Sequence, residues 1–293
     1  MIGKYLKLFI KNFIMRDLRF NEKKISIMQG RLVNSEKKGE IQFFPKNQWK
    51  KELKIFYKNN FKYIEWVANL ENLSDNPIYA EKKLPEIKDY CKKYKIKIRS
   101  IDAQFFIKYA FFKGRASARK KKFNKLKKLL VNSQKLNIKN FIIPVLEEAK
   151  LKTKKEENRL IIGIKKLSKL LKKNNFILIE SDAEPLKLLR IIKSINLKKV
   201  GLNYDIGNSA GKKYDFNLEK KYFKYVKNIH LKDKNLREKS VRLGHGNANF
   251  KNIFKYLKKI KYKGSFGMQA ARSTQNLHLS EVKANFKFLR QYL

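Results

Sequence analysis

The feature that most constrains this chain is an alternation. From residue 24 onward, short runs rich in Ile, Val and Phe are separated by longer segments whose apolar residues recur at helical spacing. Eight runs have strand character: KISIM (24–28), YIEWV (63–67), IKIRSIDA (96–103), NFIIPV (140–145), FILIE (176–180), KVGLNY (199–204), VKNIHL (226–231) and SFGMQA (265–270). Amphipathic segments lie between them at 46–60, 84–95, 115–137, 154–175, 184–196, 217–225 and 250–262, with a last helix from about 279 to 293. A strand–helix repeat of this kind builds a parallel sheet. Eight regular units predict an α/β fold, a closed (β/α)8 TIM barrel, in preference to an open doubly wound sheet. No Gly/Pro/Ser-rich linker or low-complexity break interrupts the repeat. The expectation is therefore a single barrel domain over 25–293, preceded by a short basic extension or extra helix at 1–24.

Composition narrows the function classes. With 43% hydrophobic and 13% aromatic residues, the chain is too apolar to be disordered. One cysteine, Cys91, excludes an intramolecular disulfide and a cysteine-rich zinc module, and agrees with a cytoplasmic location. Lysine and arginine total 72 against 25 acidic residues, a formal charge of +47. Such a field attracts polyanions. The lysines, however, are dispersed over nearly every helical segment (120–122, 165–166, 172–173, 220–221, 258–259) instead of being gathered in one module, the pattern of a solvated face. Abundant Lys, Asn, Ile and Phe also match translation of an AT-rich genome. We therefore expect a small anionic or neutral substrate and no specific nucleic-acid partner. No stretch is long and apolar enough to span a bilayer, and Lys11 interrupts the apolar run that a signal peptide would need.

In a (β/α)8 barrel the active site gathers where strand C-termini enter their loops. Here those positions are polar throughout: Gln29, Gly30 and Arg31 after strand one, Glu65 in strand two, Asp102 and Gln104 at strand three, Glu147 and Glu148 after strand four, Glu180 and Asp182 at strand five, Asp205 and Asn208 at strand six, His230, Lys232 and Asp233 at strand seven, and Gln269 and Arg272 at strand eight. Carboxylates converging on one mouth need cations, hydrogen bonds or a metal to hold them. Glu180, Asp205 and His230, from consecutive strands, form a candidate divalent-metal set, which the Gln269 amide oxygen completes.

Several stretches carry a resemblance: ISIMQGRL (25–32), IEWVANLENLSDNP (64–77), VGLNYDIGNSAGKKYD (200–215), NIHLKD (228–233), VRLGHGNANF (241–250) and GSFGMQAAR (264–272). In this order they resemble the xylose isomerase-like TIM barrel superfamily, specifically a bacterial sugar phosphate isomerase/epimerase branch. The resemblance implies a metal ion (Mn2+, Mg2+, Co2+ or Zn2+) held by Glu180, Asp205, His230 and the strand-eight position, which is usually an acid and here is Gln269. An amide ligates a metal but takes no proton at neutral pH, so the substitution bears on two-base epimerisation more than on metal binding.

The chemistry this implies is polarisation of a substrate carbonyl and its neighbouring hydroxyl, with a carboxylate moving the adjacent carbon's proton through an enediolate. The candidate base is Glu180 or, if metal engages it, Glu147; Glu65 and Asp102 are stand-ins for a second base. Arg31, Lys232 and Arg272 are candidate substrate-anion contacts or ion-pair partners, and Asn208 is a further substrate contact. The Gly-flanked LGHGNANF loop offers backbone N–H groups to a phosphate, while His245 and His278 read as loop and structural residues. Three histidines in all are too few for the trinuclear zinc site that the superfamily's DNA-repair endonucleases resemble. A non-catalytic sugar-binding barrel, which Gln269 would suit, and a dehydratase or hydroxy-keto acid isomerase on the same scaffold stand as alternatives. Homo-oligomers are common for such barrels, and the sequence fixes no number.

Overall fold

The computed structural model describes residues 25–35, 41–71 and 73–292, so the extension expected at 1–24 lies outside the described residues. Eight parallel strands form the barrel: β1 (Ile25–Met28), β2 (Tyr63–Val67), β3 (Lys97–Asp102), β4 (Asn140–Pro144), β5 (Phe176–Glu180), β6 (Val200–Asp205), β7 (Val226–Leu231) and β8 (Ser265–Met268). Each pairs with its neighbours in sequence, and β8 closes on β1 through Ile25 opposite Phe266 and Ile27 opposite Met268. The helices are α1 (Trp49–Lys58), α2 (Leu84–Lys93), α3 (Ala116–Lys135), α4 (Lys154–Ser168), α5 (Pro185–Ile195), α6 (Ile206–Lys212), α7 (Phe216–Lys220), α8 (Phe250–Lys259) and α9 (His278–Arg290). The expected (β/α)8 barrel is thus the observed fold; most element ends lie within a few residues of those the sequence patterns indicate, but α4 stops at Ser168 instead of 175 and α7 at Lys220 instead of 225.

Two further elements depart from expectation. Residues 206–212, which no segment of the sequence pattern marks as helical, form a helix; the Asp205 carboxylate caps it by accepting the Asn208 N–H (2.8 Å). After β7 a short antiparallel ribbon pairs Asp233–Lys234 with Ser240–Val241.

The strands divide their side chains by parity. Ile25, Ile27, Ile64, Trp66, Ile101, Phe141, Ile143, Ile177, Ile179, Leu202, Tyr204, Ile229, Leu231, Phe266 and Met268 belong to the hydrophobic cluster between barrel and helices. Helix α1 adds Trp49, Leu53 and Phe56 from one face, and fully burying a side chain such as Leu53 or Phe56 contributes about 1.5–3 kcal/mol. The alternate positions point to the barrel axis, and many are polar: Ser26, Glu65, Ser100, Asp102, Asn140, Glu180, Asn203, Asp205, Asn228 and His230 are all buried. A barrel interior is ordinarily filled with Val, Ile and Leu. This one places many polar side chains beside Met28, Ile142 and Leu178.

Candidate active site at the barrel mouth

His230 lies fully buried at the C-terminal end of β7, between two carboxylates. Its Nε2 is 2.8 Å from Glu65 Oε1 and its Nδ1 is 3.0 Å from Glu180 Oε2. The angles do not close hydrogen bonds, and both ring nitrogens are left without a hydrogen-bond partner among the described residues. Burial on its own would lower the imidazole pKa, but the charges on Glu65 and Glu180 outweigh it and hold His230 well above its ordinary value. Glu65 is fixed in turn by Ser100 Oγ, which donates to Oε2 (2.6 Å). The β2–β3 register shifts between Ile64 and Glu65, so that Glu65 stands opposite Ser100.

Glycine at position 267 is a condition of this pair. A Cβ there would lie 3.0 Å from Glu65 Oε2 and 3.0 Å from His230 Cδ2, so strand β8 presents no side chain at that point. Two residues on, and on the same parity, Gln269 is buried with its Oε1 unpartnered.

Glu180, Asp205 and His230 each offer a ligand atom, and these atoms all lie within 4.8 Å of one another. Asp205 divides its labour: Oδ1 caps α6, whereas Oδ2 is buried without a hydrogen bond, 3.9 Å from His230 Nδ1 and 3.6 Å from Lys232 Nζ. Burial of the Glu180 carboxylate would raise its pKa; His230, then Lys232 and the Asn203 amide, reverse this and hold it below the ordinary value. Asp102 goes the other way. Burial, and next the charge on Glu180, push its carboxyl well above the usual range, and its Oδ1 has no partner among the described residues.

Below Glu180 a file of polar side chains descends the barrel axis. Asn203 Nδ2 donates to Glu180 Oε2 (2.7 Å), Asn228 Nδ2 to Asn203 Oδ1 (2.7 Å), Ser265 Oγ to Asn228 Oδ1 (2.6 Å) and Asn140 Nδ2 to Ser265 Oγ (3.0 Å). Sequence reading passed over these residues. Their signal is the period of two: Asn203 precedes Asp205 by two, Asn228 precedes His230 by two, Ser265 precedes Gly267 and Gln269 on one face, and Ser100 precedes Asp102.

The remaining candidates fall outside this group or serve its walls. Glu147 is exposed on a turn after β4, with φ +53°, and is not brought to the cluster. Asn208 is buried, its amide 3.4 Å from Glu180 Oε1. Arg31 is buried, donating from Nε to Ala270 O (2.9 Å) and from Nη1 to Ile41 O (2.6 Å), so it laces the β1 loop to the chain after β8. Burial and the neighbouring Arg272 lower its pKa to about 9. Arg272 donates to Val33 O (2.6 Å), meets His278 Nε2 at 3.3 Å and covers the Phe43 ring. Among the described residues, Lys232 meets Asp205 (3.6 Å) and Lys150 meets Asp182 (2.9 Å) at the strand ends.

The LGHGNANF loop differs from expectation. Its amides are already used: Gly244 N and Gly246 N donate to Asp233 Oδ2 (3.0 and 2.9 Å), and Ala248 N donates to Asp233 Oδ1 (3.0 Å). Asp233, not a phosphate, organises that loop, and His245 is exposed on it. A second unforeseen carboxylate, Glu52, sits on the buried face of α1 and accepts from Gly30 N (3.0 Å) and Leu32 N (3.1 Å), shaping the turn after β1.

A closed eight-stranded parallel barrel with a Glu–Asp–His cluster at the carboxyl ends of consecutive strands defines a barrel enzyme fold with a metal-competent mouth. The chain belongs to the xylose isomerase-like TIM barrel family, whose model matches residues 53–292. Among solved structures, D-psicose 3-epimerase from Clostridium cellulolyticum H10, crystallised with D-tagatose, superposes with a TM-score of 0.68 at 14% identity, covering 92% of this chain and 99% of that one. IOLI protein with a bound zinc atom gives 0.70 at 16% identity over 92% and 99%. A xylose isomerase-like TIM barrel protein from Mycobacterium smegmatis in complex with magnesium gives 0.66 at 16% over 92% and 97%. By sequence, an uncharacterized protein of Methanocaldococcus jannaschii, MJ1311, is 29% identical over 113 residues, which span 37% of this chain and 36% of that protein. Among the described residues no helix is long and apolar enough to cross a membrane.

Proposed function

We propose that this protein is a divalent-metal-dependent isomerase or epimerase of a sugar or sugar phosphate. The observation that carries the proposal is the mouth cluster: Asp205 Oδ2, His230 Nδ1 and Gln269 Oε1 are buried without hydrogen-bond partners, and the first two lie with Glu180 inside one ligand-sized radius. Buried polar atoms without partners are costly, and a cation that displaces the His230 proton would satisfy them together. These four residues fit a divalent ion, and solved relatives of the same fold hold zinc or magnesium. Such an ion supplies Lewis-acid polarisation of a carbonyl and its neighbouring hydroxyl.

The protein's own groups supply the proton chemistry. Asp102 and Glu180 are two carboxyl groups whose surroundings drive their pKa values apart, the signature of an acid and a base sharing one task. Asp102, one of the two stand-ins for a second base, serves as the second proton-transfer group, whereas the exposed Glu147, the alternative to Glu180, takes no part. Glu65 and Ser100 orient His230. Lys232, buried beside Asp205, places positive charge at the mouth and favours an anionic substrate group. D-psicose 3-epimerase, of the same fold, is the precedent for an epimerase on this scaffold.

The test is elemental analysis of the protein and of Asp205→Ala after reloading with Mn2+, Mg2+, Co2+ or Zn2+, followed by solvent-deuterium incorporation into sugars and sugar phosphates. We expect near-stoichiometric metal in the parent, its loss in a folded variant, and metal-dependent exchange that Asp102→Asn abolishes. Equal metal in both proteins, or none, would overturn the reading. Because Gln269 cannot act as a base, a non-catalytic sugar-binding barrel is the second reading; sugar binding with no exchange at any metal would select it.

A further inference from the structure

The opposite end of the barrel holds a second concavity. At the N-terminal ends of the strands a cavity of about 400 Å³ is lined by Arg99, Lys139, Asn140, Phe176, Val226, Lys227, Tyr262, Lys263, Gly264 and Ser265. Its volume falls within the range of about 300–1,000 Å³ usual for small-molecule sites. Four of the lining residues are cations and none is an acid. Lys139, Lys227 and Lys263 take part in no salt bridge among the described residues, so no acid there neutralises these lysines.

We propose that this cavity is a binding site for a small phosphorylated metabolite, distinct from the barrel mouth. Three features support a built site over a chance of composition. First, the cations are held at close quarters by aromatic walls: Lys139 Nζ and Lys227 Nζ lie 5.8 and 4.8 Å from the Phe176 ring centroid, and the Arg99 guanidinium stacks 3.7 Å over Tyr63. Burial and then the proximity of Lys139 lower the Lys227 pKa, a like-charge contact that an anion between the two ammonium groups would relieve. Second, the wall at Tyr262 is fixed by close packing. A Cβ at Gly264 would meet the Tyr262 hydroxyl at 2.1 Å and Lys227 O at 2.5 Å, so glycine there lets Tyr262 fold against Ser265 O (3.3 Å). Third, the floor is polar and ordered, with Asn140 and Ser265 hydrogen-bonded to each other at the foot of the file that ends on Glu180. A concave site with a polar floor and lysines around its rim matches a compact phosphoryl group better than a nucleic-acid backbone, which needs an extended track.

The experiment is calorimetric titration with inorganic pyrophosphate at constant ionic strength, using the parent, Lys139→Gln, the double variant Lys139→Gln/Lys227→Gln, and Lys232→Gln at the mouth. Each charged contact to a phosphate oxygen is worth about tenfold in affinity. Saturable binding in the parent, weakened about tenfold by Lys139→Gln and further in the double variant but retained in Lys232→Gln, would support the site. Lys139 is exposed, so its single variant keeps the test independent of folding. Affinity within twofold of the parent in both lower-face variants would overturn the proposal and assign the attraction to the diffuse +47 charge. Loss in Lys232→Gln alone would overturn it by moving the site to the mouth.

Discussion

Glu52 makes the stability of this barrel depend on pH in a direction opposite to that of most carboxylates. Its side chain is fully buried on α1 and accepts two backbone N–H groups from the turn after β1, yet burial outweighs those bonds and raises its pKa from 4.5 to about 7. The folded protein therefore keeps this proton to higher pH than the unfolded chain does. Its contribution to stability is fully present below about 4.5 and is lost as pH rises through about 7. The shift is 7 − 4.5 = 2.5 pKa units. At about 1.36 kcal/mol per unit, this amounts to about 3 kcal/mol. The assay is urea unfolding from pH 4.5 to 8 for the parent and Glu52→Gln. Groups such as Asp102, His230 and Glu219 titrate in both proteins, so the difference between the two stability curves isolates Glu52. Glutamine accepts only one of the two N–H groups, which adds an offset that does not vary with pH. We expect the parent to lose about 3 kcal/mol relative to the variant across this window, with a maximum slope of about 1.4 kcal/mol per pH unit. Parallel curves would refute the assignment of the proton to Glu52.

Two other substitutions probe the mouth. Gly267→Ala places a methyl group 3.0 Å from both Glu65 and His230; we expect metal content to fall severalfold, with about 1–3 kcal/mol lost from stability, and an unchanged metal content would contradict the geometry. Asp233→Ala removes the acceptor of three loop amides, so amide exchange at 244, 246 and 248 should accelerate tenfold or more while the barrel strands keep their protection.

How much of this was legible in the sequence follows from which forces wrote each part. The barrel was, because strands such as FILIE and NFIIPV and the stripe Trp49, Leu53, Phe56 encode burial at their own periods. The convergence of Glu180, Asp205 and His230 was also readable, since consecutive parallel strands place equivalent ends side by side. Helix α6 was hidden because its Gly, Asn and Ser content opposes helix formation, and the Asp205 cap that starts it reads in the sequence as a strand-end ligand. Glu52 was hidden by its charge, although its place between Trp49 and Leu53 and Phe56 puts it on the apolar face. The role of Asp233 depends on amides eleven to fifteen residues downstream, which no local pattern reports. Register shifts beside Glu65 and Asn203 decide which cross-strand partners meet, and these arise from packing of the whole barrel.

The file from Asn140 to Glu180 has one more consequence. An ionised carboxylate only accepts, so Asn203 must turn its NH2 upward; its oxygen then faces down and requires the NH2 of Asn228, whose oxygen requires the hydroxyl hydrogen of Ser265, which leaves the Ser265 oxygen for Asn140. One charge at the mouth thereby orients four neutral groups in series. Their dipoles stack head to tail with the positive end beneath Glu180, as the amides of a helix N-terminus do, but along the axis of a barrel. Substituting Glu180→Gln would release that constraint, because an amide serves either direction, and the change would be felt at the far rim as freedom for Asn140 and Ser265 to reverse.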